Sequence, residues 1–105
     1  MSENTENTGN DFMTVLLDKF KKSIGDFGSA TPNDYYQTFL DMAIYDLESD
    51  DISETILHDN LGISTIVLYA EALMNKTDIA TNPTISLLRN KLSIMTKGER
   101  ANVHE

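Results

Sequence analysis

Apolar residues recur with the period of an α-helix in four segments of the chain. In the first segment, "NDFMTVLLDKFKKSI", Phe12, Leu16 and Phe20 fall on one helix face. Asn10 or Asp11 is placed to cap the free N–H groups at its start. The glycines of "GDFGS" then end the periodic pattern, so the segment predicts one amphipathic helix.

The second segment, "TPNDYYQTFLDMAIYDLES", has the clearest helix signals. Thr31 suits the N-cap position, Pro32 the first helical position, and Asp34 the capping-box position. The predicted buried stripe comprises Tyr36, Phe39, Leu40, Ala43 and Leu47. Three further apolar side chains widen this stripe: Tyr35, Met42 and Tyr45. A helix that is apolar on two sides is expected to contact more than one neighbour.

The rest of the chain predicts a short helix, a central helix and a final helix. Ser53 is placed to cap the short one, "SETILHDN". The segment "GISTIVLYAEALMNK" is the most apolar and predicts the central helix, because its length and its Ala, Leu and Met content outweigh the β-branched residues that occur within 63–67. "TDIATNP" is a predicted loop. "TISLLRNKLSIM" predicts the last helix, with Ile85, Leu88, Leu92 and Met95 on one face.

These elements predict an all-α fold, a small bundle of four main helices. The 105 residues suit one domain. We expect a disordered, flexible polar tail over residues 1–9, a single helical domain over residues 10–96, and a polar C-terminal tail over residues 97–105.

Composition narrows the possible functions. The absence of Cys excludes disulfides, a thiol nucleophile and Cys-ligated zinc. The polar N-terminus does not resemble a signal peptide, and no apolar run approaches the ~20 residues that span a bilayer, so no membrane role is expected. The net charge is −9, and no Lys or Arg occurs between Ser23 and Asn75. Such an acidic body repels phosphate, which counts against nucleic-acid binding by a broad basic face.

The acidic segment, residues 45–54 ("YDLESDDISE"), concentrates this charge. Its carboxylates are Asp46, Glu48, Asp50, Asp51 and Glu54. An EF-hand that started at Asp46 would have Asp51 in place of its glycine and Leu57 in place of its bidentate glutamate, so calcium binding is not expected.

Other chemistry also lacks its residues. A serine triad needs a base, but His58 is expected to be a surface or partly packed residue, and His104 lies in the predicted tail. No glycine-rich phosphate loop or zinc spacing is present. The sequence therefore predicts a protein that is not an enzyme, with no catalytic, cofactor-binding or metal residues, and an acidic segment that forms a solvated negative surface.

The order of these segments resembles the small all-α head–tail connector (adaptor, or head-completion) proteins of tailed bacteriophages. The matching stretches are "VLLDKFKKSIG", "NDYYQTFLDMAIYDLES", "GISTIVLYAEALMNK" and "NPTISLLRNKLSIM", which cover most of residues 12–95. The resemblance is one of pattern and spacing. It implies a structural, non-catalytic subunit of the virion, made in the bacterial cytoplasm.

The resemblance implies a ring of identical subunits below the portal protein. The ring would extend the channel through which double-stranded DNA passes without specific binding, and it would dock the tail or a stopper protein. An acidic channel wall lets phosphates pass, because they find no cation there. The candidate channel-facing residues are Glu48, Asp50, Asp51 and Glu54. The candidate contacts with the next subunit or the portal are Lys19, Lys21, Lys22, Arg89 and Lys91.

Two other functions fit parts of the sequence. A small acidic regulatory protein that mimics the charge of DNA would explain the net charge equally well, and its binding would weaken steeply with salt. A helical DNA-binding module fits less well. A recognition helix needs basic residues beside it that contact phosphates, and no Lys or Arg occurs between Ser23 and Asn75.

Overall fold

The computed structural model describes residues 8–28 and 31–103, which form four long helices and one short one. Their bounds are α1 Thr8–Ile24, α2 Asn33–Ser49, α3 Glu54–Leu57, α4 Asn60–Met74 and α5 Pro83–Val103. The all-α class predicted from the sequence is confirmed, and these described residues contain no strand.

Helix α4 is the central helix, as its apolar sequence predicted. It contacts α1, α2, α3 and α5, and its contact with α2 is the most extensive in the fold. Even Thr65 is completely buried there, and its hydroxyl donates a hydrogen bond to the Leu61 carbonyl oxygen at 2.8 Å. That internal partner is what lets a polar side chain sit in the core at little cost.

The predicted buried faces form the core. The fully buried large side chains include Leu16, Phe20, Leu40, Leu47, Leu57, Ile66, Ile85 and Leu92. Phe20 of α1 meets Tyr36 of α2 edge to face, with ring centroids 5.3 Å apart. Phe39 is only half-buried. Helical periodicity therefore located most of the core.

Two helix starts differ from the prediction. α1 begins at Thr8, so Asn10 and Asp11 lie inside the helix rather than capping it. α2 begins at Asn33, because Pro32 has an extended backbone (φ −61°, ψ 143°) and itself occupies the N-cap position. The predicted N-cap at Thr31 is therefore wrong. Pro32, which takes that position, has no side-chain oxygen to accept a hydrogen bond from the first turn. The predicted Ser53 cap is confirmed, since its hydroxyl accepts a hydrogen bond from the Ile56 N–H.

The last helix is longer than predicted. α5 continues to Val103 through most of the segment predicted as a polar tail. Thr96 explains part of the extension, because it is buried and its hydroxyl accepts a hydrogen bond from the Ser53 N–H at 3.1 Å. Residues 1–7 of the predicted N-terminal tail, and His104 and Glu105, lie outside the described residues; Thr8 and Gly9 are helical.

None of the helices in the described ranges combines the length and the apolar character that crossing a bilayer requires.

Candidate functional site

The acidic segment connects α2 to α3, and one face of α5 binds it. The residues on that face are Arg89, Thr96 and Arg100, spaced by seven and four positions, which places them in one line on the helix. Ile85 and Leu92 bring the same side of α5 onto the core. The connection is therefore held in place by the chain itself.

Arg89 is the centre of a polar cluster at the end of α2. Its Nε donates to Asp50 Oδ2 at 2.6 Å, and its Nη1 donates to the Tyr69 hydroxyl at 3.4 Å. The Tyr69 hydroxyl donates in turn to Asp46 Oδ2 at 2.5 Å. The guanidinium also lies 5.4 Å from the centre of the Tyr69 ring. Arg89 of α5 thus binds Asp50, and Tyr69 of the central helix binds both Asp46 and Arg89.

The cluster changes the acidity of its members. Burial, followed by the hydrogen bond to Asp46, raises the pKa of Tyr69 to about 12. The hydrogen bond to Asp50 raises the pKa of Arg89 above its usual value. The cluster therefore holds a neutral phenol and a permanent cation at neutral pH.

Arg100 binds the next carboxylate. Its two terminal nitrogens donate to the two carboxylate oxygens of Asp51, at 2.8 and 3.2 Å. Asp51 has a left-handed backbone (φ 66°), which ends α2 and turns the chain toward α3. The hydrogen bond from Arg100, together with its charge, lowers the pKa of Asp51. This pair also needs the helical extension of α5, because Arg100 lies beyond the predicted end of the last helix.

The four predicted channel-facing residues thus fall into two groups. Asp50 and Asp51 are paired with arginines of the same chain. Glu48 is exposed and has no ion pair among the described residues, and Glu54 is exposed with only the His58 imidazole, 3.8 Å away. Of these four residues, Glu48 and Glu54 therefore carry negative charge that no arginine of the chain neutralises.

The predicted contact residues are also divided. Arg89 is taken up by the polar cluster, and Lys22 pairs with Asp18 on the surface of α1 at 3.1 Å. Lys19 and Lys91 are exposed, Lys21 is half-buried, and none of them has an ion pair among the described residues. These three lysines remain available to a neighbour.

His58 is held by an aromatic contact. Its ring stacks on Phe12 of α1, with centroids 3.7 Å apart and planes 11° from parallel. The imidazole ties α3 to α1, which fits the predicted surface or partly packed role. Within residues 8–28 and 31–103, no group of three or more His, Asp or Glu side chains is placed to hold a metal ion.

Three large side chains of α2 that the sequence predicted to be buried are exposed on its outer side. Tyr35, Met42 and Tyr45, predicted to widen the buried stripe, are 51%, 46% and 71% exposed. Beside them runs a parallel line of exposed carboxylates. We use the name α2 outer face for the apolar residues Tyr35, Met42 and Tyr45 with the acids Asp34, Asp41 and Glu48.

A second exposed apolar stripe lies on the side of α5 away from the core. Leu87 and Ile94 are 66% and 59% exposed. Lys91 and Lys97 lie on either side of Ile94, and both are exposed. Leu87, Lys91, Ile94 and Lys97 together form the α5 outer face. One chain therefore carries two exposed apolar faces with opposite charges.

No family model matches the sequence, and neither a curated protein nor a solved structure matches the chain.

The Arg89–Asp50 pair gives a test of how firmly the cluster holds the acidic segment. Their side chains are only 30% and 32% exposed, so a double-mutant cycle with Arg89→Gln and Asp50→Asn is expected to give a coupling of about 1 kcal/mol. The same cycle on the exposed Lys22–Asp18 pair, measured by urea unfolding, is expected to give about 0.3 kcal/mol. Equal couplings would mean that the cluster is no tighter than an ordinary surface pair.

Tyr69 gives a test by pH. Its pKa in the folded state, about 12, lies above the ordinary value of 10.0. The stabilisation from this difference is therefore present in full below pH 10 and is lost as the pH rises from 10 toward 12. We expect the latest-titrating component of the tyrosinate absorbance of the native protein to be lost in Tyr69→Phe. A component that persists in Tyr69→Phe would assign it to another residue.

Proposed function

We propose that the protein is a structural head–tail connector subunit of a tailed bacteriophage. Identical copies form a ring below the portal, extend the DNA channel, and offer a platform to the tail or a stopper protein. The observation that carries the proposal is the pair of exposed apolar faces on α2 and α5. A cyclic ring needs two different faces on each subunit, which meet head to tail. The pattern of helices over residues 12–95, similar to the connector family, supports the same function.

The acidic segment has a narrower part in this function than its sequence suggests. Arg89 and Arg100 neutralise Asp50 and Asp51, so a negative channel wall would depend on Glu48 and Glu54. Both arginines beside the segment are already paired with carboxylates, so a passing phosphate backbone would meet mainly the repulsion of Glu48 and Glu54. The paired aspartates instead fix the connection between α2 and α3.

Apolar contacts would carry the assembly. Exposed ion pairs contribute only about 0–1 kcal/mol each, so Lys19, Lys21 and Lys91 would set the orientation of a neighbouring subunit or of the portal rather than the affinity.

The test is association with the portal protein encoded by the same genome. Purified full-length chain is mixed with assembled portal rings, and the complex is examined by native mass spectrometry and negative-stain electron microscopy. We expect a ring of this protein stacked on one end of the portal. If the chain remains a single copy and leaves the portal unchanged at about 10 µM, where complexes with a Kd below about 10 µM are populated, the proposal is wrong.

An acidic regulatory protein is the second candidate. The observation that favours it is the line of exposed carboxylates at Asp34, Asp41 and Glu48, spaced seven residues apart on a helix with no Lys or Arg. Such a protein would bind a basic groove as one copy, and its affinity would fall steeply between 50 and 200 mM salt, about the range in which phosphate contacts are screened. Binding to portal that is insensitive to salt would separate the two functions.

A further inference from the structure

The two outer faces of the chain are complementary to each other. On α2, Tyr35 and Met42 lie seven residues apart; on α5, Leu87 and Ile94 have the same spacing. Seven residues of helix span about 10.5 Å, so the apolar side chains of two such helices can alternate along one contact. The spacing therefore matches without a change in either helix.

Their charges also match. The α2 outer face carries three exposed carboxylates and the α5 outer face carries two exposed lysines. In the described parts of the chain, none of these five groups forms an ion pair. Complementary charge beside apolar contact favours one orientation of two surfaces over others.

We infer that the α2 outer face of one copy binds the α5 outer face of the next copy. This contact deepens the proposed function and rests on it, because it names the two surfaces that would meet in the ring. Each copy uses one face of each kind, so the contact is heterologous and repeats from subunit to subunit. A basic amphipathic helix of another protein would also suit α2, but the matching face is present on this chain.

Cysteine trapping tests the contact directly, since the chain contains no Cys of its own. A contact of one helix with one helix is small beside the roughly 1,200–2,000 Å² of standard interfaces, so association in dilute solution is weak and a covalent readout is needed. Full-length Met42→Cys and Ile94→Cys proteins are mixed in equal amounts at high concentration under mild oxidation, with and without portal rings. A disulfide forms only where the Cα atoms approach within about 7 Å.

The expected product is a disulfide between one copy of each variant. Its yield should exceed by about tenfold that of a control mixture of Met42→Cys with Asn75→Cys, whose cysteine is exposed but lies beyond the end of α4, outside both faces. Equal yields in the two mixtures, both with and without portal, overturn the inference. So does an excess of Met42→Cys homodimers, which would mean that two α2 faces meet symmetrically.

Charge reversal adds a check that a chance collision cannot satisfy. Asp41→Lys in the Met42→Cys copy, or Lys91→Glu in the Ile94→Cys copy, is expected to lower the yield about fivefold, and the two reversals together are expected to restore it. Failure of the combined reversal to restore the yield overturns the predicted pairing of faces. Trapping without portal binding would leave the contact intact and reject the connector function, whereas portal binding with no trapping would do the opposite.

Discussion

Replacing Gly62 with alanine is expected to lower the free energy of unfolding by about 3 kcal/mol. Gly62 lies in the first turns of α4, where the end of α3 crosses it. A Cβ atom there would overlap the backbone carbonyl oxygens of Ile56 and Leu57, the latter at 2.5 Å. Backbone atoms cannot turn away as a flexible side chain can, so α3 must move. Thermal and urea unfolding measure the loss, and each kcal/mol corresponds to roughly 4–8 °C in Tm for a domain of this size.

Gly98→Ala is the matched control. Gly98 also lies in a helix, but nothing lies within 4 Å of the position that its Cβ would take. Alanine there removes the entropy cost of glycine in a helix and is expected to add about 0.5–1 kcal/mol. The same substitution thus has opposite signs at the two positions. A neutral or stabilising Gly62→Ala would mean that α3 does not approach α4 this closely.

Phe20→Ala is expected to lower the free energy of unfolding by about 3–5 kcal/mol. The Phe20 side chain is fully buried between α1 and its neighbours, and its ring meets Tyr36 edge to face. Truncation to alanine loses the favourable free energy of burying the ring, leaves a cavity in the core, and removes the aromatic contact with Tyr36. We expect the variant to unfold at a much lower urea concentration than the unsubstituted protein.

Phe27→Ala is the control that shows whether the loss of stability in Phe20→Ala comes from the burial of the ring rather than from the removal of a phenylalanine. Phe27 is 80% exposed in the connection between α1 and α2, so its loss is expected to change stability by less than about 0.5 kcal/mol. If the two variants were equally destabilised, the Phe27 ring would have to be covered in solution.

The acidic segment shows how a local pattern misleads about charge. Ten residues with five carboxylates and no cation indicate a strongly negative surface. In the fold, arginines 39 and 49 positions away reach Asp50 and Asp51. The spacing of Arg89, Thr96 and Arg100 along one face of α5 was a signal of this contact. This spacing indicated that the three side chains share one face of the helix, but it did not indicate that this face binds the acidic segment.

For the apolar residues of α2, the sequence showed which side chains share a face but not which faces would be covered. The core side of the helix, with Leu40 and Leu47, was identifiable because periodicity fixes which residues share a face. Whether Tyr35, Met42 and Tyr45 would be covered depends on how many neighbours surround the helix, and that number is not a local property. They are exposed, and this exposure is the basis of the proposed contact between copies.

The sequence by itself determined the all-α class, the order of the helices, the central position of α4, the Ser53 cap and most of the core. These features follow from spacing within a few turns of chain, where sequence distance and spatial distance are coupled. Only the tertiary structure decided that α5 extends to Val103, that Arg89 and Arg100 bind the acidic segment, and that α2 and α5 keep apolar faces uncovered. Those features depend on which distant segments meet, and side-chain hydrogen bonds between such segments form only after the packing of the helices has brought them together.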